Sequence, residues 1–116
     1  MVVFMANVPV VTAYEGDFST TPKTNKGKKW RIGYYEGGEY VDYQKIFTET
    51  IKGLMNQGWI EQAHLPLQKG EQTKQLWNWL ATEAKSKYLQ FVKDAHYSNN
   101  WDDKLRGKTA AAVIKR

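Results

Sequence analysis

Residues 30–58, WRIGYYEGGEYVDYQKIFTETIKGLMNQG, decide the fold. Trp30 to Glu36 is a β-rich run, and Gly37-Gly38 ends it. Such a glycine pair suits a tight exit from a strand. Val41 follows, then Asp42 in the position of a helix N-cap. From there Tyr43, Phe47, Ile51, Leu54 and Gly58 fall at three- and four-residue steps, with Ile46 and Met55 flanking. That spacing lays one apolar stripe along an amphipathic helix. Gly53 in its interior costs about 1 kcal/mol relative to alanine, which predicts a neighbour packed closely at that point. Gly58 suits the C′ position, after which Trp59-Ile60 returns to the core. Strand, glycine loop, capped helix and glycine stop make half of a βαβ unit.

Towards the C-terminus, residues 61–71 contain Pro66 and Gly70 and read as a connection. Thr73 to Lys85 predicts a second helix, with Leu76, Trp77, Leu80 and Ala84 on one side. Across Tyr88 to Tyr97 the period changes. Leu89, Phe91, Ala95 and Tyr97 alternate with Gln90, Asp94 and His96, while Val92 and Lys93 break the pattern. This reads as a strand; continuation of the helix through Tyr88, Phe91 and Ala95 is the competing reading. Asn100 is placed to cap a third helix, with Asp102 and Asp103 in its first turn and Trp101, Leu105, Ala112 and Val113 as its stripe. The order β-α-(α)-β-α predicts an α/β fold, the start of a doubly wound parallel sheet. Two such strands cannot bury both faces, so the sheet is expected to be incomplete within these residues.

Towards the N-terminus, the first thirteen residues, MVVFMANVPVVTA, carry no charge and are too short to span a bilayer. Val11-Thr12-Ala13 puts small residues where a signal peptidase reads, just before the polar run from Tyr14. Residues 1–13 therefore read as the end of a signal peptide, which implies export to the periplasm or the cell exterior. A buried edge strand through Val2, Val3, Val8, Val10 and Val11 is the competing reading. Residues 14–29, rich in Gly, Ser, Thr, Asn and Lys, read as an exposed tether, and residues 30–116 as a partial N-terminal ligand-binding lobe.

Composition narrows the function classes. Of 116 residues, 41% are apolar and 25% charged, which suits a soluble globular fold. The net charge of +5 is uneven. Its densest basic cluster, Lys23, Lys26, Lys28, Lys29 and Arg31, falls mostly in the tether rather than on a face interleaved with aromatics, so nucleic acid is not an expected partner. The absence of cysteine removes disulfides, thiolate chemistry and cysteine-type zinc sites.

Catalytic motifs are also missing. His64 and His96 have no ligand partner at i+3 or i+4, and the glycines near the first strand form neither G-x-G-x-x-G nor a P-loop. Asp102-Asp103 is explained by the dipole of a helix N-terminus, and Ser19 and Ser98 lack a nucleophile-elbow setting. No enzyme activity and no cofactor are expected. What remains is positional: ligands of open α/β sheets sit beyond the carboxyl ends of the strands. The first end carries Tyr35, Glu36, Gly37 and Gly38, and the second carries Tyr97 and Ser98. These are the candidate ligand-binding residues, and a plain turn role is the competing reading for each of them.

The segment KKWRIGYYEGGEYVDYQKIFTETIKGLMNQGWIE resembles the N-terminal lobe of ABC-transporter substrate-binding proteins of the type-I periplasmic-binding class. In that family a K-x-I-G strand leads through a loop to a helix ending in GL-x-x-x-G-(W/Y)-x-E. Here Lys29, Ile32 and Gly33, then Gly53-Leu54, Gly58-Trp59 and Glu61, occupy those positions. Residues 88–116 are similar to the second strand and helix of the lobe, and residues 62–86 match loosely. The resemblance implies two hinged lobes that close on a small-molecule solute and deliver it to a membrane permease, without catalysis or cofactor. It also places Tyr35, Glu36, Gly37 and Gly38 at the pocket. Two other classes compete: a flavodoxin-like α/β enzyme or regulatory domain whose site lies outside these residues, and a basic nucleic-acid-binding module.

Overall fold

The computed structural model describes residues 19–115. The signal-peptide reading of residues 1–13 and the first part of the tether lie outside them. Five elements follow in order: β1 (Trp30–Glu36), α1 (Val41–Asn56), α2 (Lys74–Thr82), β2 (Leu89–Ser98) and α3 (Asp103–Lys115). β1 and β2 pair in parallel as a two-stranded sheet. The fold is mixed α/β, and the strand reading of residues 88–97 prevails over a continued helix.

Helix α1 buries Phe47, Ile51 and Met55, while Ile46 on its flank is 63% exposed. Two details of this helix were anticipated differently. The N-cap is Tyr40, without a side-chain cap bond, and Asp42 sits inside the first turn. There its carboxylate complements the helix dipole instead of accepting a capping bond. A side chain at Gly53 would meet nothing within 4 Å, so that glycine is not the mark of a tight contact. The C-terminus does follow the glycine signal. Gly58 adopts φ +87°, its N–H donates to Met55 O at 3.1 Å, and the Trp59 N–H donates to Leu54 O at 2.9 Å. That pair of bonds is a Schellman motif, which satisfies carbonyls the helix would leave open.

The same face of the sheet receives α2. Leu76, Trp77 and Leu80 are at most 2% exposed and join Phe47, Ile51, Met55, Ile60, Leu89, Phe91 and Ala95 in one core. Phe91 meets the Trp77 ring edge to face at 5.6 Å, a favourable arrangement of the two quadrupoles.

Pairing between the strands is interrupted once. Ile32 pairs with Phe91 and Tyr34 with His96, so β2 carries three more residues than β1 across this interval. The Trp77 indole N–H donates to Val92 O within the bulge at 3.0 Å, satisfying a carbonyl displaced from the ladder. An odd number of extra residues reverses the facing of the strand. Tyr97 therefore pairs with Tyr35, and His96 pairs with Tyr34. The simple alternation that grouped Tyr97 with Leu89 and Phe91 fails for this reason.

Helix α3 begins later than anticipated. Asn100 and Trp101 take left-handed conformations, φ +51° and +60°, and Asp102 Oδ1 accepts from the Lys104 N–H at 2.9 Å. Asp102 is thus the cap, and Trp101 stands outside the helix rather than on its stripe. No α3 side chain is buried. The described part of the tether is exposed but not featureless. Lys26 (φ +53°) and Gly27 (φ +84°) form a two-residue turn closed by Asn25 and Lys28, and the Trp30 indole N–H donates to Lys23 O at 3.0 Å.

Candidate functional site

Parallel pairing brings the two predicted strand ends together. Tyr35 lies opposite Tyr97 and Glu36 opposite Ser98, and the Asn99 N–H extends the ladder to Glu36 O at 3.2 Å. All six candidate residues thus lie at one end of the sheet, although their side chains divide between its two faces.

On the core face, Glu36 is 5% exposed and accepts a hydrogen bond of 2.6 Å from the Thr73 hydroxyl. The Thr73 Oγ1 also lies 2.8 Å from His96 Nε2. A hydroxyl has one proton to give. With that proton on the bond to the Glu36 carboxylate, His96 Nε2 must be the donor to Thr73, which assigns the Nε2–H tautomer. The chain of donors runs from imidazole to hydroxyl to carboxylate, opposite to the order in which a histidine would activate a hydroxyl nucleophile. Thr73 is also only 1% exposed. The trio is a buried polar clamp joining β1, the start of α2 and β2.

Aromatic packing supports this clamp. Tyr34 stacks on Phe47 at 4.6 Å and on His96 at 5.3 Å. Burial, with the nearby Glu36 charge second, pushes the Tyr34 phenol up to about 12. Burial lowers the His96 pKa below its ordinary value and Lys74 adds to this, while Glu36 opposes them. A neutral imidazole is what the assigned tautomer needs.

On the other face, Tyr35 is 38% exposed. Its hydroxyl accepts from Asn99 Nδ2 at 3.0 Å and reaches Arg106 O at 3.5 Å, tying the strand end to α3. Asn99 is 7% exposed, and its Oδ1 is buried without a hydrogen-bond partner. Tyr97 lines a cavity of about 200 Å³ with Arg31, Gly33, Ala95 and Val113 under α3. Ser98 is engaged locally, its Oγ accepting from the Asn100 N–H at 3.2 Å. Another cavity, about 440 Å³, lies between α1 and residues 62–66, away from the strand ends.

Gly37 and Gly38 were anticipated as room for a ligand. The Trp101 ring takes that space: a Cβ on Gly38 would collide with the indole. Backbone bonds hold the ring there, the Trp101 N–H donating to Gly37 O at 2.8 Å and the indole N–H to Glu39 O at 3.0 Å. Trp101 stacks on Tyr43 at 6.0 Å, and Tyr43 meets Tyr40 edge to face at 5.3 Å. Trp101 remains 60% exposed and Tyr40 44%.

Thr73, His96 and Trp101 are the site residues that sequence reasoning missed. Asn99-Asn100 carried a usable signal for the last, since asparagine tolerates the left-handed turn that swings Trp101 over the glycines. No local signal joins Thr73 to Glu36, which is 37 residues away. Comparison with protein-family models, with curated proteins and with solved structures finds no match to this chain.

Proposed function

We propose that this chain is the N-terminal ligand-binding lobe of an exported solute-binding protein. It would capture a small molecule in a cleft between two lobes for the permease of an ABC-type uptake transporter. The observation that carries this reading is the register at the strand ends, Tyr35 with Tyr97 and Glu36 with Ser98. Parallel strands that finish level, next to a glycine loop and the N-terminus of α1, present the crevice where open α/β sheets hold ligands. The exposed rings of Tyr35, Tyr40 and Trp101 supply apolar contact there.

The proton order of the Glu36–Thr73–His96 clamp supports binding rather than catalysis. The clamp holds the strand ends in place and leaves ligand contact to the residues around it.

The test is a thermal-shift screen of the protein against amino acids, sugars, small aromatics and organic amines, followed by calorimetric titration. A solute that binds only the folded state raises the midpoint. A saturable rise with a matching heat of binding is expected for one class. Flat midpoints and no heat across all of them would end the solute-binding reading.

A further inference from the structure

The surface beside the glycine loop combines three aromatic rings with carboxylates that have no cation. Trp101, Tyr43 and Tyr40 form a continuous cluster, Trp101 stacked on Tyr43 and Tyr43 edge-on to Tyr40. One side of the indole is covered by Gly37-Gly38, yet 60% of the residue stays exposed. An indole this open does not fill the core, and two hydrogen bonds and two successive left-handed residues fix it in place.

Two carboxylates act on the Tyr40 end of the cluster. Hydrogen bonding to Asp42 and the charge of that carboxylate raise the Tyr40 phenol above its ordinary value, and Tyr43 and Glu71 add to the effect. Glu39 follows the glycines, and its own carbonyl receives the indole N–H. The ion pairs seen among the described residues are Lys52–Glu49 and Arg106–Asp103, which leaves Glu39, Asp42 and Glu71 without a salt-bridge partner there. In a protein of net charge +5, Asp42 and Glu71 place negative charge beside the exposed Tyr40 ring without a salt-bridge partner. Aromatic faces carry negative quadrupole charge and attract cations, and tryptophan does so most strongly.

We propose that the Tyr40–Tyr43–Trp101 cluster binds an organic ammonium group, through cation–π contact with the rings and the charge of Asp42 and Glu71. This inference rests on the solute-binding reading and names its ligand class. A sugar would stack on the rings and donate hydroxyls to the acids but would gain no ionic or cation–π attraction, and a carboxylate ligand would be repelled by them.

The test is calorimetric titration of the full chain with choline and with its uncharged carbon isostere, in which carbon replaces the nitrogen. Choline is expected to bind roughly tenfold more tightly than the isostere, as a cation–π contribution of this size implies. Tyr40→Leu and Trp101→Leu should each weaken choline several-fold. Tyr40 is largely exposed, so its variant keeps the test valid even if Trp101→Leu disturbs the loop. Asp42→Asn should reduce the preference for the charged ligand and leave isostere binding unchanged. Equal affinities for choline and isostere would overturn the inference, as would choline binding that ignores both ring variants. If choline gives no heat while a sugar or an amino acid binds, the ammonium assignment falls and solute binding stands. If nothing binds, both fall.

Discussion

On the core face of the sheet, α1 and α2 bury Phe47, Ile51, Met55, Leu76, Trp77 and Leu80. On the opposite face α3 buries no side chain at all, and its Ile114 is 83% exposed. The two faces belong to the same pair of strands, so the contrast lies in what covers them. The first face has the interdigitated packing that gives a domain its cooperativity. The second meets α3 through a tyrosine hydroxyl and leaves a cavity of about 200 Å³ beneath it. Stability and the candidate binding surface are thereby separated: the core face secures the strand ends, and the exposed candidate residues lie at the margin, where packing is sparse. Sites that must admit a ligand are commonly drawn from the less stable parts of a fold.

Substitutions at three positions would break or sharpen this contrast. The largest effect is expected at Trp77, which fills the core and also caps the bulge. Trp77→Ala should cost about 3–5 kcal/mol, the usual range for a buried aromatic, measured by denaturant unfolding. Trp77→Phe should recover part of that loss and leave the Val92 carbonyl unpaired. A loss below about 1 kcal/mol for the alanine variant would show that the two faces are equal after all.

A middle-sized effect is expected at Thr73. Thr73→Val keeps the shape but removes the hydroxyl from a buried carboxylate, which should cost about 1–3 kcal/mol. The His96 ring signals in a proton NMR spectrum should move as well, because their hydrogen-bond partner is gone. Unchanged stability together with unchanged His96 signals would dissolve the clamp. The smallest effect is expected on α3, where Ile114→Ser should fall within about 0.5 kcal/mol of zero. A loss above about 2 kcal/mol at that exposed position would mean that α3 is held as firmly as α1 and α2.

Much of the architecture was legible because it depends on local physics. The three- and four-residue stripe of α1, the Gly58 stop and the apolar side of α2 are each written within a few turns of chain. The strand ends were legible as a place, since parallel α/β order puts Glu36 and Ser98 at the same edge. Partners were not legible. A bulge reverses the facing of β2 after Phe91, and only the break at Val92 and Lys93 hinted at it. Glu36 looked like a ligand-facing carboxylate, yet a threonine far along the chain buries and occupies it. Trp101 looked like a helix-stripe residue, because the left-handed pair that ejects it is a tertiary outcome. Contacts across long sequence separations decide these points, and periodicity carries no record of them.

The bulge in β2 gives the molecule slack. The first half of that strand is anchored by the Trp30 N–H on Tyr88 O at 2.8 Å, and the second half by the Asn99 N–H on Glu36 O. Between the anchors, residues 92–95 have more chain than β1 requires. A variant that gained or lost a residue there could take up the difference in the loop of backbone, while His96 and Ser98 kept their places opposite Tyr34 and Glu36. The same change inside β1, which has no spare length, would drag Glu36 and the glycines out of position. Length variation in the middle of the sheet is therefore absorbed more readily in β2 than in β1, and over evolutionary time the two strands of a single ladder would drift under unequal rules.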